Sequence, residues 1–157
     1  MTDFLKDQAR FMAICSQTVG QNNPKQTVMY ETLLAEEHTE RLEAIAAHDE
    51  VEEFDADLDM LVVHLGRMLS RWPVAMIEAG WAEVMRSNLS KAEECHNCHG
   101  EGIYEAYEYG GAHSNEECFY CNGTGYTVQR REDNKILKGP QYSPPDLKSV
   151  MEKYRDA

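Results

Sequence analysis

Two copies of the pattern CxxCxGxG occur in the second half of this chain, and they constrain its fold more than any other feature. They read CHNCHGEG from residue 95 and CFYCNGTG from residue 118. Each CxxC can turn two thiolates toward one ion, and the glycines that follow permit the tight backbone turn. The two copies together predict one tetrahedral zinc site with the ligands Cys95, Cys98, Cys118 and Cys121. Because four thiolates leave no open coordination position, this zinc is predicted to be structural.

The N-terminus, MTDFLKDQARF, carries acidic residues and lacks the apolar region of a signal peptide. A cytoplasmic location is therefore expected, where paired cysteines bind metal more often than they form disulfides. A redox dithiol is the lesser alternative. Cys15, in the apolar run FMAICSQTV, is expected to be a buried small hydrophobe. His96, His99 and His113 are expected to be spectators, since four cysteines already complete the site.

The cysteine doublet resembles the zinc-binding region of DnaJ-type chaperones, a family that has four such repeats and two zinc ions. The resemblance covers only about 30 residues, and the chain has no His-Pro-Asp motif of a J-domain. It therefore predicts the zinc module without predicting a chaperone.

The first 91 residues show the apolar spacing of helices throughout. Helices are predicted at 3–19, about 27–48, about 50–70 and about 73–91, with a loop at Gly20–Pro24 and Pro73 at the first position of the fourth helix. The expected buried positions are residues 33, 34, 42 and 45 in the second helix and 54, 58, 61, 65 and 68 in the third. Four helices with short links predict a mainly α fold built on a four-helix bundle.

Composition changes at Cys95, where glycine, tyrosine and cysteine become frequent. Residues 95–126 predict a small irregular or β module. The tail that follows begins strand-like and continues as an extended segment with Gly139-Pro140 and Pro144-Pro145, before a short helix at about 146–155.

Carboxylates form stripes on the second and third predicted helices, beside the apolar positions instead of opposite them. Such acids repel one another and lose hydration unless a cation holds them. A hard divalent ion such as Mg²⁺, or Mn²⁺, suits oxygen ligands of this kind. The predicted ligands are Glu36, Glu37, Glu40, Glu52, Asp55 and Asp59.

The order of these acids, Glu36-Glu37-x-x-Glu40 and then Glu52-x-x-Asp55, resembles the EExxE…ExxD signature of the all-α nucleoside triphosphate pyrophosphatases. That superfamily includes MazG, dimeric dUTPases and phosphoribosyl-ATP pyrophosphohydrolase. The segment WAEVMRSNLSK at 81–91 resembles the EVhRSNmsK segment of phage and bacterial MazG-like members, and REDNKILKGPQYSPPDL at 131–147 resembles their C-terminal stretch. The resemblance covers about 120 of the 157 residues.

The resemblance implies a MazG-like helical domain at 1–94, a zinc insertion at 95–126 and the tail of the same domain at 127–157. One departure concerns the second acidic pair, because Ala56 occupies the position that an ExxD counted from Glu53 requires. The pair is then Glu52 with Asp55, or Asp55 with Asp59, and both assignments stay open.

The activity that the resemblance implies is Mg²⁺-dependent hydrolysis of a nucleoside triphosphate to a monophosphate and pyrophosphate. Water would attack the α-phosphorus, with Glu37 or Glu40 taking its proton. The matching segments imply a nucleotide-binding role for five further residues: Arg86, Asn88, Lys91, Lys135 and Lys138. Guanidinium and ammonium groups suit phosphates, and an amide suits a sugar or base edge.

The formal net charge of −13 argues against a protein that mainly binds duplex DNA, and no segment is apolar enough to predict a membrane span. Since the family pairs its subunits, a homodimer or tetramer is expected. The alternative function is a MazG-like interaction protein that has lost turnover and binds a protein partner through its zinc module. A nucleic-acid-binding zinc ribbon is disfavoured by the acidity of that module, and host cytoplasm is the expected location if the chain is phage-encoded.

Overall fold

The computed structural model describes residues 3–107 and 113–155 of the chain, and its secondary structure is mainly helical. The helices are α1 (Phe4–Ile14), α2 (Pro24–Ala47), α3 (Glu50–Leu69), α4 (Val74–Leu89) and α5 (Leu147–Tyr154). The short strands are β1 (Glu93–Glu94), β2 (Ile103–Tyr107), β3 (His113–Glu117) and β4 (Tyr126–Thr127). This confirms the mainly α prediction with a small strand region, while the relation to MazG-like bundles stays a prediction. None of the described helices is long and apolar enough to span a membrane.

The chain packs as two compact units, residues 1–80 with 149–157 and residues 81–148. These two units are defined by the contacts within each of them. The domain boundaries at residues 94/95 and 126/127 were predicted from the resemblance, and they stay a prediction. In the second unit β1 pairs with β4 and β2 pairs with β3, both antiparallel. Glu94 lies opposite Tyr126, so the chain enters and leaves the cysteine module side by side.

A helical hairpin, α2–α3, organises the first unit, and short polar residues define its ends. The Asn23 side chain caps α2 by accepting a hydrogen bond from the Gln26 backbone N–H, with Pro24 in the first turn. His48 ends α2 in the left-handed conformation at φ 56°. Asp49 then caps α3 by accepting from the N–H groups of the next turn. This two-residue link turns the chain back, and α2 packs mainly against α3.

The core of the first unit is small and centres on a buried tyrosine. Met12, Tyr30, Val63, Leu69 and Ile77 form its buried cluster. The Tyr30 hydroxyl donates to Gln17 Oε1 at 2.6 Å, and burial raises the pKa of this phenol. The tyrosine ring lies directly over Gly66 of α3, where a Cβ atom would come within 2.3 Å of it. Glycine at residue 66 therefore allows the close approach of α2 and α3.

We expect Gly66→Ala to destabilise the first unit by about 2 kcal/mol. Overpacking a core costs about 1–3 kcal/mol and the displaced hydroxyl loses a hydrogen bond, against a gain of about 1 kcal/mol from helix propensity. Urea denaturation followed by circular dichroism measures the change. If the clash is the cause, Tyr30→Leu in the Gly66→Ala background restores part of the lost stability, whereas additive losses would contradict it.

The prediction that the first helix runs to residue 19 is wrong, and so is the prediction that Cys15 is buried. The helix ends at Ile14, Ser16 adopts a φ of 58°, and Cys15 is exposed. Tertiary hydrogen bonds explain the early end of α1, because the backbone after Ser16 forms hydrogen bonds with a side chain of α2. The N–H of Thr18 donates to Gln26 Oε1 at 2.9 Å, and Gln26 Nε2 donates to the Thr18 carbonyl at 2.7 Å.

Several apolar residues of the hairpin that were predicted to be buried are exposed in the single chain. Leu42 of α2 is 50% exposed and Phe54 of α3 is 65% exposed, and Ile45, Leu58 and Leu61 are also exposed. The three α3 residues recur at spacings of four and three, so they share one face of that helix. The periodicity predicted an apolar face correctly, but within the described part of one chain that face is left open to solvent.

Candidate metal centres and a lysine cleft

The four cysteines of the doublet converge on one point. Their Sγ atoms all lie within 4.8 Å of one another and all four residues are buried. Cys95 Sγ is 3.8 Å from Cys118 Sγ, and Cys98 Sγ is 3.6 Å from Cys121 Sγ. A tetrahedral ion with Zn–S bonds of about 2.3 Å places its sulfurs about 3.8 Å apart. The group fits a metal ion such as zinc.

The two copies of the cysteine motif form equivalent hydrogen bonds to each other around these thiols. The Cys95 N–H donates to the Gly125 carbonyl at 2.8 Å, and the Cys118 N–H donates to the Gly102 carbonyl at 2.8 Å. Both glycines have positive φ, at 76° for Gly102 and 78° for Gly125. A Cβ on either one would lie 2.2 Å from a backbone oxygen of the other repeat. Each copy therefore completes the other, and the second glycine of each motif cannot carry a side chain.

Hydrogen bonds to the sulfurs favour thiolates in this site. The Gly102 N–H donates to Cys98 Sγ and the Gly125 N–H donates to Cys121 Sγ, each at 3.3 Å. Burial opposes ionisation of Cys118, yet its pKa is about 6, because the Asn97 side chain and backbone N–H groups donate to it. Burial and the neighbouring thiols raise the pKa of Cys98 to about 11. A cation in this site would favour the charged form of all four thiols. His96 and His99 lie outside this group and are exposed.

The hairpin α2–α3 brings the two acidic stripes of the first unit close together. Burial raises the pKa of Glu37, and the charges of Asp59, Glu40, Glu36 and Asp55 raise it further. Glu37 is half-buried, while the other five predicted ligands, Glu36, Glu40, Glu52, Asp55 and Asp59, are exposed. Glu36 and Glu40 also line an open groove on α2 of about 480 Å³, together with Glu43. In residues 3–107 and 113–155, the cysteines are the only group of three or more potential ligands whose atoms approach this closely.

The second unit brings together the two segments that carry the predicted nucleotide-binding residues. Arg86 donates to both carboxylate oxygens of Glu83, at 2.9 and 2.8 Å, and to the Pro144 carbonyl at 3.0 Å. Glu83 also accepts the Asp146 N–H at 2.7 Å. The hydrogen bonds from Arg86, followed by the one from Asp146, lower the pKa of Glu83 to about 2. Arg86 and Glu83 therefore anchor the extended tail to α4, a role that sequence reasoning missed for Glu83.

The pKa of Glu83 predicts how this anchor responds to pH. A carboxylate with a folded-state pKa near 2, below its ordinary 4.5, stabilises the structure above pH 4.5 and loses that contribution as the pH falls toward 2. Glu83→Gln should therefore accelerate exchange of the Asp146 amide hydrogen several-fold at pH 7, with the difference shrinking in acid. Nuclear magnetic resonance measures the exchange. The exposed Glu101→Gln is the matched control, and an equal effect in it would contradict the anchor.

Three of the predicted nucleotide-binding lysines line one open cleft of about 510 Å³ in the second unit. Lys91, Lys135 and Lys138 share it with Gln129, Ile136 and Leu137. The Lys138 Nζ lies 4.4 Å from the centre of the Tyr142 ring, and Lys91 Nζ donates to Asn88 Oδ1 at 2.7 Å. A tight turn with Asn134 at φ 64° brings Lys135 back toward Arg131, whose N–H donates to the Lys135 carbonyl at 2.9 Å. Among the described residues, the lining of the cleft holds three lysines and no carboxylate, while the carboxylates of Glu93 and Asp133 lie close to Gly139 and to the Lys135 N–H.

No protein-family model matches the chain, and no curated protein matches its sequence. The resemblance to MazG-like enzymes therefore stays a prediction, which rests on the acidic pattern and on the segments at 81–91 and 131–147.

Proposed function

We propose that this protein is a Mg²⁺-dependent nucleoside triphosphate pyrophosphohydrolase of the MazG-like type, releasing pyrophosphate and a nucleoside monophosphate. The observation that carries the proposal is the charge interaction across the α2–α3 hairpin. The half-buried Glu37 feels the negative charges of four other predicted carboxylates, those of Asp59, Glu40, Glu36 and Asp55. A cluster of this kind destabilises the metal-free chain and gains from a divalent cation.

The acids supply oxygen ligands and a base. Glu36, Glu37, Glu40, Glu52, Asp55 and Asp59 are the residues that would hold Mg²⁺ or Mn²⁺. The bound ion supplies charge neutralisation for the phosphates and an acidified water. Glu37 suits the role of base best, because burial and then the neighbouring carboxylates raise its pKa, which makes it the stronger proton acceptor. Glu40 is the second candidate.

The lysine cleft supports an anionic substrate. Three ammonium groups without a carboxylate among the lining residues suit phosphate oxygens. We assign Lys91, Lys135 and Lys138 to phosphate binding. Asn88 hydrogen-bonds Lys91, so we assign it a positioning role beside any contact of its own with the nucleotide. Arg86 acts in this proposal mainly by anchoring the tail that carries Lys138.

The exposed face of the hairpin supports a homodimer. Phe54, Leu58 and Leu61 form an apolar strip on α3, and Leu42 and Ile45 are exposed on α2. A strip of this kind is a natural interface between two copies of the chain. The cysteine site in turn supports a structural zinc ion, because all four ligands are thiols and the site is closed.

The proposal is tested by incubating the folded, zinc-loaded protein with each common ribo- and deoxyribonucleoside triphosphate. Parallel reactions contain Mg²⁺, Mn²⁺ or a chelator of divalent ions that leaves the protein's zinc in place. We expect equal amounts of pyrophosphate and monophosphate from at least one nucleotide, only with the metal. In ¹⁸O-water the label should enter the monophosphate, since attack is at the α-phosphorus. Absence of product from every nucleotide, or release of single phosphates, would overturn the proposal.

A further inference from the structure

The cysteine module presents an exposed aromatic surface that no part of the proposed hydrolysis uses. We call it the knuckle surface and define it by His96, Phe119 and Tyr120. The His96 and Tyr120 rings meet edge to face at 5.5 Å, and the Phe119 and Tyr120 rings do so at 6.2 Å. Phe119 is 82% exposed and Tyr120 is 62% exposed. Large aromatic side chains this exposed are typical of contact surfaces.

The position of these rings between the paired cysteines explains why they are exposed. His96 lies between the first two cysteines, and Phe119 and Tyr120 lie between the last two. Cys95 and Cys118 are fully buried, with 0% exposure, so the backbone on either side of the rings is fixed. Both cysteines of each pair are buried in the sulfur cluster, whereas His96, Phe119 and Tyr120 are exposed; Asn97, the fourth residue between paired cysteines, donates a hydrogen bond to Cys118 Sγ. The rings cannot turn into a core without breaking the cluster.

The segment of the chain that carries the knuckle surface is strongly acidic. Residues 92–129 contain no lysine or arginine and seven glutamates. Four thiolates around one divalent ion would add two further negative charges. Glu94, Glu101, Glu105, Glu116 and Glu117 are exposed, and Glu108 lies outside the described residues. A phosphate backbone is repelled by such a field, and a cationic segment is attracted.

We propose that the knuckle surface binds a basic peptide segment of a partner protein, with arginine or lysine side chains stacked on Phe119 and Tyr120. Aromatic faces attract guanidinium and ammonium groups, most strongly where the site is shielded from water. The five exposed glutamates of this segment supply the complementary charge, and the aliphatic parts of the basic side chains cover the exposed rings. Apolar contact alone would not select a partner, but aromatic rings in an acidic field select a cation.

Binding is measured by fluorescence anisotropy with a short labelled peptide of alternating arginine and leucine. We expect saturable binding that weakens as salt is raised. Replacing the arginines with citrulline keeps their shape but removes their charge, and should weaken binding at least tenfold. Phe119→Ala with Tyr120→Ala should weaken binding about tenfold. The cysteines are untouched, so the zinc content of this variant should equal that of the natural chain.

The matched control is Phe4→Ala, which removes another exposed phenylalanine far along the chain in α1. It should bind the peptide as the natural protein does. The inference is overturned if the arginine peptide does not bind, or if the citrulline peptide binds equally well. It is also overturned if the Phe119→Ala/Tyr120→Ala variant keeps full affinity for the arginine peptide, or if single-stranded DNA binds the natural protein as tightly as that peptide does. A Glu40→Gln/Asp55→Asn variant should retain peptide binding whatever its hydrolytic rate, so failure of one proposal is distinguishable from failure of the other.

Discussion

Glu40→Gln combined with Asp55→Asn will abolish pyrophosphate release while leaving the fold intact. Each substitution keeps the size of the side chain and removes one negative charge from the acidic cluster of the α2–α3 hairpin. Both residues are exposed, so the packing of the hairpin does not depend on them. Loss of metal ligands or of a base typically costs about 10²–10⁴-fold in rate, and the two together should bring turnover to the level of the metal-free protein. The rate of pyrophosphate release, measured beside circular dichroism, tests this.

A second effect separates a metal site from a merely acidic surface. Glu40 and Asp55 both raise the pKa of Glu37, so their removal relieves repulsion in the metal-free chain. The double variant should therefore melt slightly higher than the natural chain without metal, and should gain less from Mg²⁺. The control is Glu43→Gln with Glu50→Gln, which removes two exposed acids that are not among the charges acting on Glu37. If the control loses activity equally, or the double variant stays active, the acids are misassigned.

The four-cysteine cluster, which could hold a metal ion such as zinc, was predictable from the sequence because its chemistry is local. Two CxxC pairs determine the ligands, and the glycines after them determine the turns. The spacing did not reveal that the two copies of the motif pack against each other, with Gly102 and Gly125 each lying against the backbone of the opposite copy. The identical motif was the available signal, since two equal sequences around one ion can form equal contacts.

The parts of the first unit that escaped prediction depend on contacts far apart in sequence. The early end of α1 depends on Gln26 and Tyr30, whose side chains bond the backbone and side chains after Ser16. Periodicity showed that Phe54 and Leu58 share a face, but it could not show whether another part of the chain covers it. Glu83 was missed for the same reason, because its partner amide at Asp146 is 63 residues away.

Cys98→Ser will release the metal and unfold the module between β1 and β4. The cysteine cluster is the buried centre of this module in the described residues, and the sulfurs of Cys98 and Cys121 each accept a backbone N–H. Structural zinc contributes about 10–16 kcal/mol to folding in small zinc-binding peptides, so a module of this size should not stay folded without it. We expect one equivalent of zinc in the natural chain by elemental analysis and less in the variant. Amide resonances of residues 95–125 should collapse to the unfolded region, while those of α2 and α3 stay dispersed.

The consequence for the lysine cleft follows from chain connectivity. Lys91 precedes the module and Lys135 and Lys138 follow it, so the folded module holds the two sides of the cleft together through the β1–β4 pairing. Unfolding it turns that link into a flexible loop of about 30 residues, whose closure costs about 3 kcal/mol. The variant should therefore show a raised KM for the nucleotide with a smaller change in kcat, a split that loss of the acidic residues would not produce. Cys15→Ser is the matched control, because Cys15 is exposed and outside the cluster. Retention of a full equivalent of zinc and of a native spectrum in Cys98→Ser would contradict the structural role assigned to the four thiols.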